Sequence, residues 1–188
     1  MTFQTASPAR ESRDTRSHPQ PGLDPRLIDA WLAELRLEPV ERDEREGTTS
    51  WDLVLDGRRR FDVRVTLILQ PNLVLVAWVH YAPALSDGFR KSYRQFLRWN
   101  DELPFAKFAL SADERPVLTS ELAPGDLDAD RLGLSLARLL AICDLLLDES
   151  SHWLWPAGRR PDQGDRRCRN PFLFERYRAE LAELAATP

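Results

Sequence analysis

Basic side chains on one predicted helix are the first group in the sequence whose types and spacing could do chemistry. Arg90, Lys91, Arg94 and Arg98 recur at intervals of three and four residues, which places them on one side of the helix. This basic stripe could bind phosphate groups, so one hypothesis is a regulator that binds nucleic acid or a phosphorylated ligand. Acidic residues at both ends of the stripe partly offset its charge, and such stripes are usually solvated. We therefore keep this function as the alternative.

Residues typical of catalysis or metal binding occur without the arrangement that such chemistry needs. His80 lies in a predicted strand, and the sequence shows no nucleophile or carboxylate placed to act with it. His152, Cys143 and Cys168 lack the spacing of zinc ligands. Neither G-x-x-x-x-G-K-[ST] nor G-x-G-x-x-G occurs. The sequence therefore predicts no catalytic residue, metal or cofactor, and a chain that is not an enzyme.

The two cysteines differ in their sequence surroundings. Cys143 falls on the apolar side of a helix and is expected to be a small buried hydrophobe. Cys168 lies between Arg167 and Arg169, which could favour its thiolate and make it reactive. Two cysteines give no disulfide framework, so a reducing cytoplasm is the expected location.

The composition fits one globular domain with tails. The chain has 188 residues, of which 43% are hydrophobic and 30% are charged, enough to bury one core without disulfides or metal. Its net charge of -4 creates no field that favours nucleic acid or an anionic membrane. There is also no apolar run of roughly 18 residues, the length that a membrane span requires. We therefore expect no membrane partner, and the charge does not favour nucleic acid.

The hydrophobic pattern predicts an α+β domain over residues 23–149, with an antiparallel sheet. Asp24 and Pro25 are typical of a helix start. From Ser50 to Tyr81 the pattern has a period of two, which predicts three strands in an antiparallel meander. The charged run at 41–46 is interpreted as a loop. The predicted order is helix, three strands, helix, two strands, helix.

The segments outside this domain have different compositions. Residues 1–22 contain few apolar side chains, so we predict a disordered tail. Residues 150–170 carry several arginines, prolines and glycines and are interpreted as a linker. Residues 171–188 are predicted to form a C-terminal amphipathic helix, with Asn170 as its cap. The apolar side of this helix needs something to cover it.

The third predicted strand carries the best candidates for partner binding. Val76, Trp78 and His80 alternate with apolar residues that face the other way, so both faces of the strand are largely apolar. The second face is either covered within the monomer or serves as a dimer interface or client groove. We add Trp99, on the second helix, to this partner-binding set. Asn100, on the same helix, is expected to be structural and to bind nearby backbone.

Residues 96–108 read Phe-Leu-Arg-Trp-Asn-Asp-Glu-Leu-Pro-Phe-Ala-Lys-Phe and contain the pattern N-x-x-L-P-x-x-K-F. A strand pair follows, and then Leu-Asp-Ala-Asp at 127–130 opens a leucine-rich helix. With the order of elements, this resembles the YbjN-type family over residues 23–149. The resemblance implies a fold like that of type III secretion chaperones and a bacterial regulator of sensory transduction.

The resemblance also implies a mode of action. The chaperone fold works as an acidic homodimer that holds extended segments of client proteins. The expected function is therefore a non-enzymatic protein-binding module, a chaperone-like protein or regulatory adaptor that captures protein segments as a homodimer. Its partner would be a protein client or a regulatory protein.

Overall fold

The sheet of this α+β protein has six antiparallel strands in the order β1-β2-β3-β4-β6-β5. The computed structural model describes residues 22–70, 72–84, 90–150, 154 and 166–185. The predicted tail and most of the predicted linker therefore lie outside the described residues. The strands are β1 (Glu41–Arg45), β2 (Thr48–Leu55), β3 (Val63–Gln70), β4 (Val74–His80), β5 (Lys107–Leu110) and β6 (Pro116–Leu122).

Two of the helices begin at an aspartate that caps them. Asp24 accepts a hydrogen bond from the backbone N–H of Arg26 at 2.9 Å, and Asp128 accepts one from Arg131 at 2.7 Å. In the described part of the chain, no helix has the length and apolar character needed to cross a bilayer. The helices are α1 (Pro25–Glu34), α2 (Arg90–Glu102), α3 (Ala129–Leu145), α4 (Leu147–Ser150), α5 (Pro171–Arg176) and α6 (Arg178–Ala185), with a 3₁₀ turn at Pro124–Asp126.

The charged run at 41–46 was expected to be a loop, and this expectation is wrong because residues 41–45 form the edge strand β1. Its side chains are mostly exposed, so no hydrophobic alternation marks the strand in the sequence. Backbone pairing with β2 holds it in place, from Glu41 opposite Asp52 to Arg45 opposite Thr48. Glu46 and Gly47 form the two-residue turn with positive φ values of 50° and 77°.

One face of the sheet forms the core. Trp51, Leu67 and Ala77 lie side by side on neighbouring strands, and each is fully buried. The indole N–H of Trp51 donates to Asp29 of α1 at 2.6 Å, which fixes that helix over the same face. The predicted alternation in β2, β3 and β4 is thus confirmed, and the predicted element order is confirmed with β1 added.

The predicted C-terminal helix is two helices, α5 and α6, which pack against α3. Tyr177, between them, lies so close to Gly133 that a Cβ there would be 2.3 Å from the Tyr177 hydroxyl. Phe174, Leu181 and Leu184 are also buried. The expectation that Asn170 caps the helix is wrong, because its side chain makes no cap bond and binds the backbone of Asp56 instead. These contacts cover the apolar side that the sequence left without a partner.

Candidate partner-binding surface

The second face of the central strands is only partly covered. Along β2, β3 and β4, the side chains that alternate with the core residues are half-buried or exposed. We call this surface the open face. It comprises Ser50, Asp52, Val54, Arg64, Thr66, Ile68, Val74, Val76, Trp78 and His80.

The middle of the open face is apolar. Val74, Val76 and Trp78 occupy alternate positions of β4, and Ile68 of β3 pairs directly with Val76. All four side chains are partly exposed to solvent. The indole N–H of Trp78 is buried and has no hydrogen-bond partner among the described residues. A contiguous apolar surface of this kind on a sheet is typical of an interaction site.

One end of the open face carries a short chain of hydrogen bonds. The hydroxyl of Thr66 donates to Asp52 at 2.5 Å, and His80 Nε2 lies 3.3 Å from the same hydroxyl oxygen. Because the hydroxyl hydrogen goes to Asp52, His80 Nε2 acts as the donor to Thr66. This arrangement holds the imidazole beside Trp78, with 6.3 Å between the ring centroids. It orients His80 as a hydrogen-bonding group.

The structure brings together three of the four residues expected to bind a partner. Val76, Trp78 and His80 share the open face, whereas Trp99 is 1% exposed and lies in the core. Trp99 packs against Phe96 and Phe108, which point to the covered face of the sheet. Trp99 is therefore on the opposite side of the sheet from Trp78.

The basic stripe is described only in part. Arg94 and Arg98 are exposed on α2, and the side chains of Arg90 and Lys91 lie outside the described residues. Between the two described arginines, Leu97 is 68% exposed, so the stripe does not lie against the core.

Asn100 joins α2 to the edge strand β5. Its side-chain amide donates to the backbone carbonyl of Phe108 at 3.0 Å and accepts from the N–H of the same residue at 2.5 Å. Lys107 donates to the carbonyl of Asn100 and, at 3.1 Å, to that of Leu103. The pattern N-x-x-L-P-x-x-K-F thus supplies hydrogen-bond partners for free carbonyl groups at the end of α2 and for the backbone of β5.

Two buried carboxylates, those of Asp144 and Asp56, form a cluster at the loop between β2 and β3 that the sequence did not predict. Asp144 accepts hydrogen bonds from the backbone N–H groups of Arg58, Arg59 and Arg60, at 2.6, 3.0 and 2.8 Å. Burial raises the pKa of Asp144, and the three backbone N–H bonds oppose that rise. A lone aspartate late in a leucine-rich helix was the available signal, because a charge at a core position needs a partner.

Asp56 is the second member of this cluster, and it is fully buried. Its carboxylate accepts from the Arg166 guanidinium at 2.8 Å and from the backbone N–H groups of Asp62 and Arg169, each at 2.9 Å. Arg166 also pairs with Asp62 at 2.9 Å. Residues 166–170, predicted to be linker, therefore hold the loop between β2 and β3.

The thiols have environments that make them slow nucleophiles. Burial raises the pKa of Cys143 to about 11. Burial also raises the pKa of Cys168, and this effect is larger than the lowering caused by the positive charge of the nearby Arg166. The thiolate expected from the arginines that flank Cys168 is therefore disfavoured.

We expect a thiol reagent at pH 7 to modify Cys168 more slowly than a free cysteine and to leave Cys143 unmodified until the protein unfolds. Mass spectrometry of samples quenched during labelling measures both rates, and the variants Cys143→Ser and Cys168→Ser assign them. Labelling of Cys168 at or above the rate of free cysteine would contradict the expectation.

Among the described residues, no cluster of three or more His, Cys, Asp or Glu could hold a metal ion.

The chain is similar to a known protein family over most of its length. The family model YbjN, described as "Putative bacterial sensory transduction regulator", matches residues 24–151. The chain belongs to the YbjN family. This confirms the resemblance carried by residues 96–108 and 127–130.

Two further comparisons complete the picture. No curated protein matches the chain. One solved structure, the heterodimeric complex ExoU-SpcU from the type III secretion system of Pseudomonas aeruginosa, contains a similar chain at 21% identity, with 64% of this chain and 95% of that chain covered and a TM-score of 0.43. The YbjN match includes the open face and Asn100, and residues 166–185 form an extension beyond it.

Proposed function

We propose that this YbjN-family chain is a non-enzymatic, cytoplasmic protein-binding module. It works as a homodimer and captures extended segments of a protein client or regulatory partner on the open face. The observation that carries this proposal is the half-exposed apolar centre formed by Ile68, Val74, Val76 and Trp78. An extended segment could bury alternate apolar side chains there, with Asp52 and Arg64 at the margins to select its flanking charges.

The strand edges are poorer places for capture than the open face. At one edge of the sheet, Asn100 already occupies the outward N–H and C=O of Phe108. At the other edge, β1 presents five charged side chains, and the Asp43 carboxylate accepts the N–H of Glu44 at 2.9 Å. Both devices discourage addition of a strand. This supports binding through side chains on the open face.

The variant Val76→Asp tests the proposed surface. A charge at its centre should weaken capture of a permanently unfolded model protein about tenfold or more, because a buried valine side chain contributes about 1.5–3 kcal/mol. Leu73→Asp is the matched control, since Leu73 is 67% exposed in the turn before β4 and lies outside the open face. Fluorescence anisotropy of the labelled model protein measures both affinities.

The outcomes separate the parts of the proposal. Equal affinities of Val76→Asp and Leu73→Asp would contradict capture on the open face. Light scattering on the same samples measures the oligomer, and a wild-type monomer at all concentrations would contradict the homodimer. If Val76→Asp alone turns a dimer into a monomer, a second copy occupies the open face.

A salt series tests the alternative, binding of phosphate groups through the basic stripe. Contacts with phosphate weaken steeply as salt is added, whereas apolar contacts do not. Steep salt dependence together with loss of binding in Arg94→Gln/Arg98→Gln would favour the alternative over capture on the open face.

A further inference from the structure

A cavity of about 350 Å³ lies between α3 and the end of β6. It is separate from the open face, and none of the residues expected to bind a partner lines it. Its walls combine apolar side chains with groups that can donate hydrogen bonds. Among its lining residues are Phe105, Ser120, Glu121, Leu134, Arg138 and Leu139.

Arg138 is the first feature of this cavity that points to ligand binding. Its Nε atom is buried and has no hydrogen-bond partner among the described residues. The guanidinium carbon lies 3.7 Å from the centroid of the Phe105 ring. Phe105 is 57% exposed and has a φ of 67°, a left-handed conformation that is rare for a bulky residue. An unsatisfied donor and a strained aromatic residue thus meet at one place, as is common at binding sites.

Two serines supply a second unsatisfied donor. Ser135 of α3 and Ser120 of β6 are both more than nine-tenths buried, and their hydroxyl oxygens are 3.1 Å apart. One hydroxyl donates to the other, so one hydrogen of the pair is left over. Among the described residues, the two hydroxyl groups make no other side-chain hydrogen bond. Both serines line the cavity, so the remaining hydrogen could be donated to a ligand there.

The end of β6 supplies a free strand edge. In β5 the backbone groups of successive residues point to opposite sides. The N–H and C=O of Phe108 point away from β6, toward Asn100, so those of Lys107 point toward Thr119 of β6. In β6, Glu121 comes two residues after Thr119, so its backbone N–H and C=O also point toward the side on which β5 lies. The ladder between β5 and β6 ends at Lys107 and Thr119, so the described strands offer Glu121 no partner there. A short extended peptide could pair with Glu121.

We propose that this cavity binds the C-terminal residues of an extended peptide, with the terminal carboxylate held by Arg138. A carboxylate accepts two parallel hydrogen bonds from one guanidinium, and this would satisfy the Nε donor. The hydrogen left over by the serines is a third donor for the same group. Leu134 and Leu139 would contact an apolar side chain of the peptide. The exposed ring of Phe105 has to move aside from the guanidinium.

The direction of the added strand explains why a chain end fits. A peptide antiparallel to β6 runs in the same direction as β5, so its C-terminal end points toward Lys107. Ala106 and Lys107 already occupy the continuation of that path. The bound peptide must therefore end there, next to Phe105 and the guanidinium that its ring covers.

A comparison of two probes tests the proposal on the unmodified full chain. The probes are the peptide Ala-Ala-Val-Leu with an N-terminal fluorescein, once with a free C-terminal carboxylate and once as the carboxamide. Fluorescence anisotropy measures both affinities. We expect the carboxylate form to bind about tenfold more tightly or better, because charged bidentate hydrogen bonds are the stronger ones.

Variants assign this preference to Arg138. Arg138→Gln should reduce binding of the carboxylate form to that of the carboxamide, and Arg138→Lys should restore only part of it, since lysine cannot bind bidentately. Arg26→Gln, which changes an exposed arginine on α1, is the control and should leave the preference unchanged. Equal binding of the two probes to the wild-type chain, including no binding of either, overturns the proposal. Capture of the unfolded model protein is measured in a separate experiment, so failure here does not affect the proposed open face.

Discussion

Replacement of Trp99 by alanine should lower the free energy of unfolding by about 3–5 kcal/mol, the usual cost of truncating a large core residue. Trp99 is 1% exposed, and its ring centroid lies 5.7 Å from that of Phe96 and 5.4 Å from that of Phe108. Its indole N–H also donates to Glu149 at 3.3 Å. Truncation would leave a cavity among these rings and remove one of the hydrogen bonds between α2 and α4.

Trp78→Ala is the matched control, because it removes the same side chain from the open face. It should cost clearly less stability than Trp99→Ala but weaken capture of the unfolded model protein. Chemical denaturation followed by circular dichroism measures the stabilities. A small stability loss in Trp99→Ala, combined with lost capture, would return Trp99 to the partner-binding set and contradict its position in the core.

Replacement of Asp144 by alanine should cost about 3 kcal/mol or more. Three backbone N–H groups, from Arg58 to Arg60, donate to its carboxylate, and each buried donor left unpaired costs about 1–3 kcal/mol. Gly57 packs so tightly on this carboxylate that a Cβ would lie 2.3 Å from Oδ1.

Asp148→Ala is the control for Asp144→Ala. Asp148 pairs with Arg59 at 2.7 Å, but both side chains are about half exposed, so the loss should be at most about 1 kcal/mol. The same denaturation curves give both values. Equal losses in the two variants would show that the loop around Asp144 rearranges without penalty.

The pH dependence of stability offers a second measurement of Asp144. The native protein holds its proton at a higher pH than the unfolded chain does, because burial raises the pKa in the folded state. Its favourable contribution is therefore complete below the ordinary pKa of 3.8 and is lost as the pH rises through the raised native value. Asp144→Asn should remove this part of the dependence.

Local patterns in the sequence predicted most of the fold. The helix starts at Asp24 and within residues 127–130 were predicted because capping depends on neighbouring residues alone. The alternation in β2 to β4 was visible because one face is buried. β1 was not visible, since backbone bonds to β2 hold an edge strand whose side chains all remain charged and mostly exposed. Hydrophobic periodicity carries no information about such a strand.

The candidate site was predictable along single strands but not between elements. Val76, Trp78 and His80 share a face because alternation fixes it within β4. Trp99 was misplaced because its side depends on how α2 packs against β5, which the sequence of the helix does not state. Arg138 and Ser120 meet only through the packing of α3 on β6. Such meetings depend on tertiary geometry, which a sequence pattern does not carry.

The buried carboxylate of Asp56 also sets an order of events during synthesis. Two of its partners, the Arg166 guanidinium and the backbone N–H of Arg169, follow 110 and 113 residues later in the chain. At ribosomal speeds of about 5–20 residues per second, they are made roughly 5–20 seconds after Asp56. During that interval the Asp56 carboxylate lacks these two donors, and the side of α3 that later receives Tyr177 faces solvent. The nascent protein therefore completes its core only after residues 166–185 have been translated.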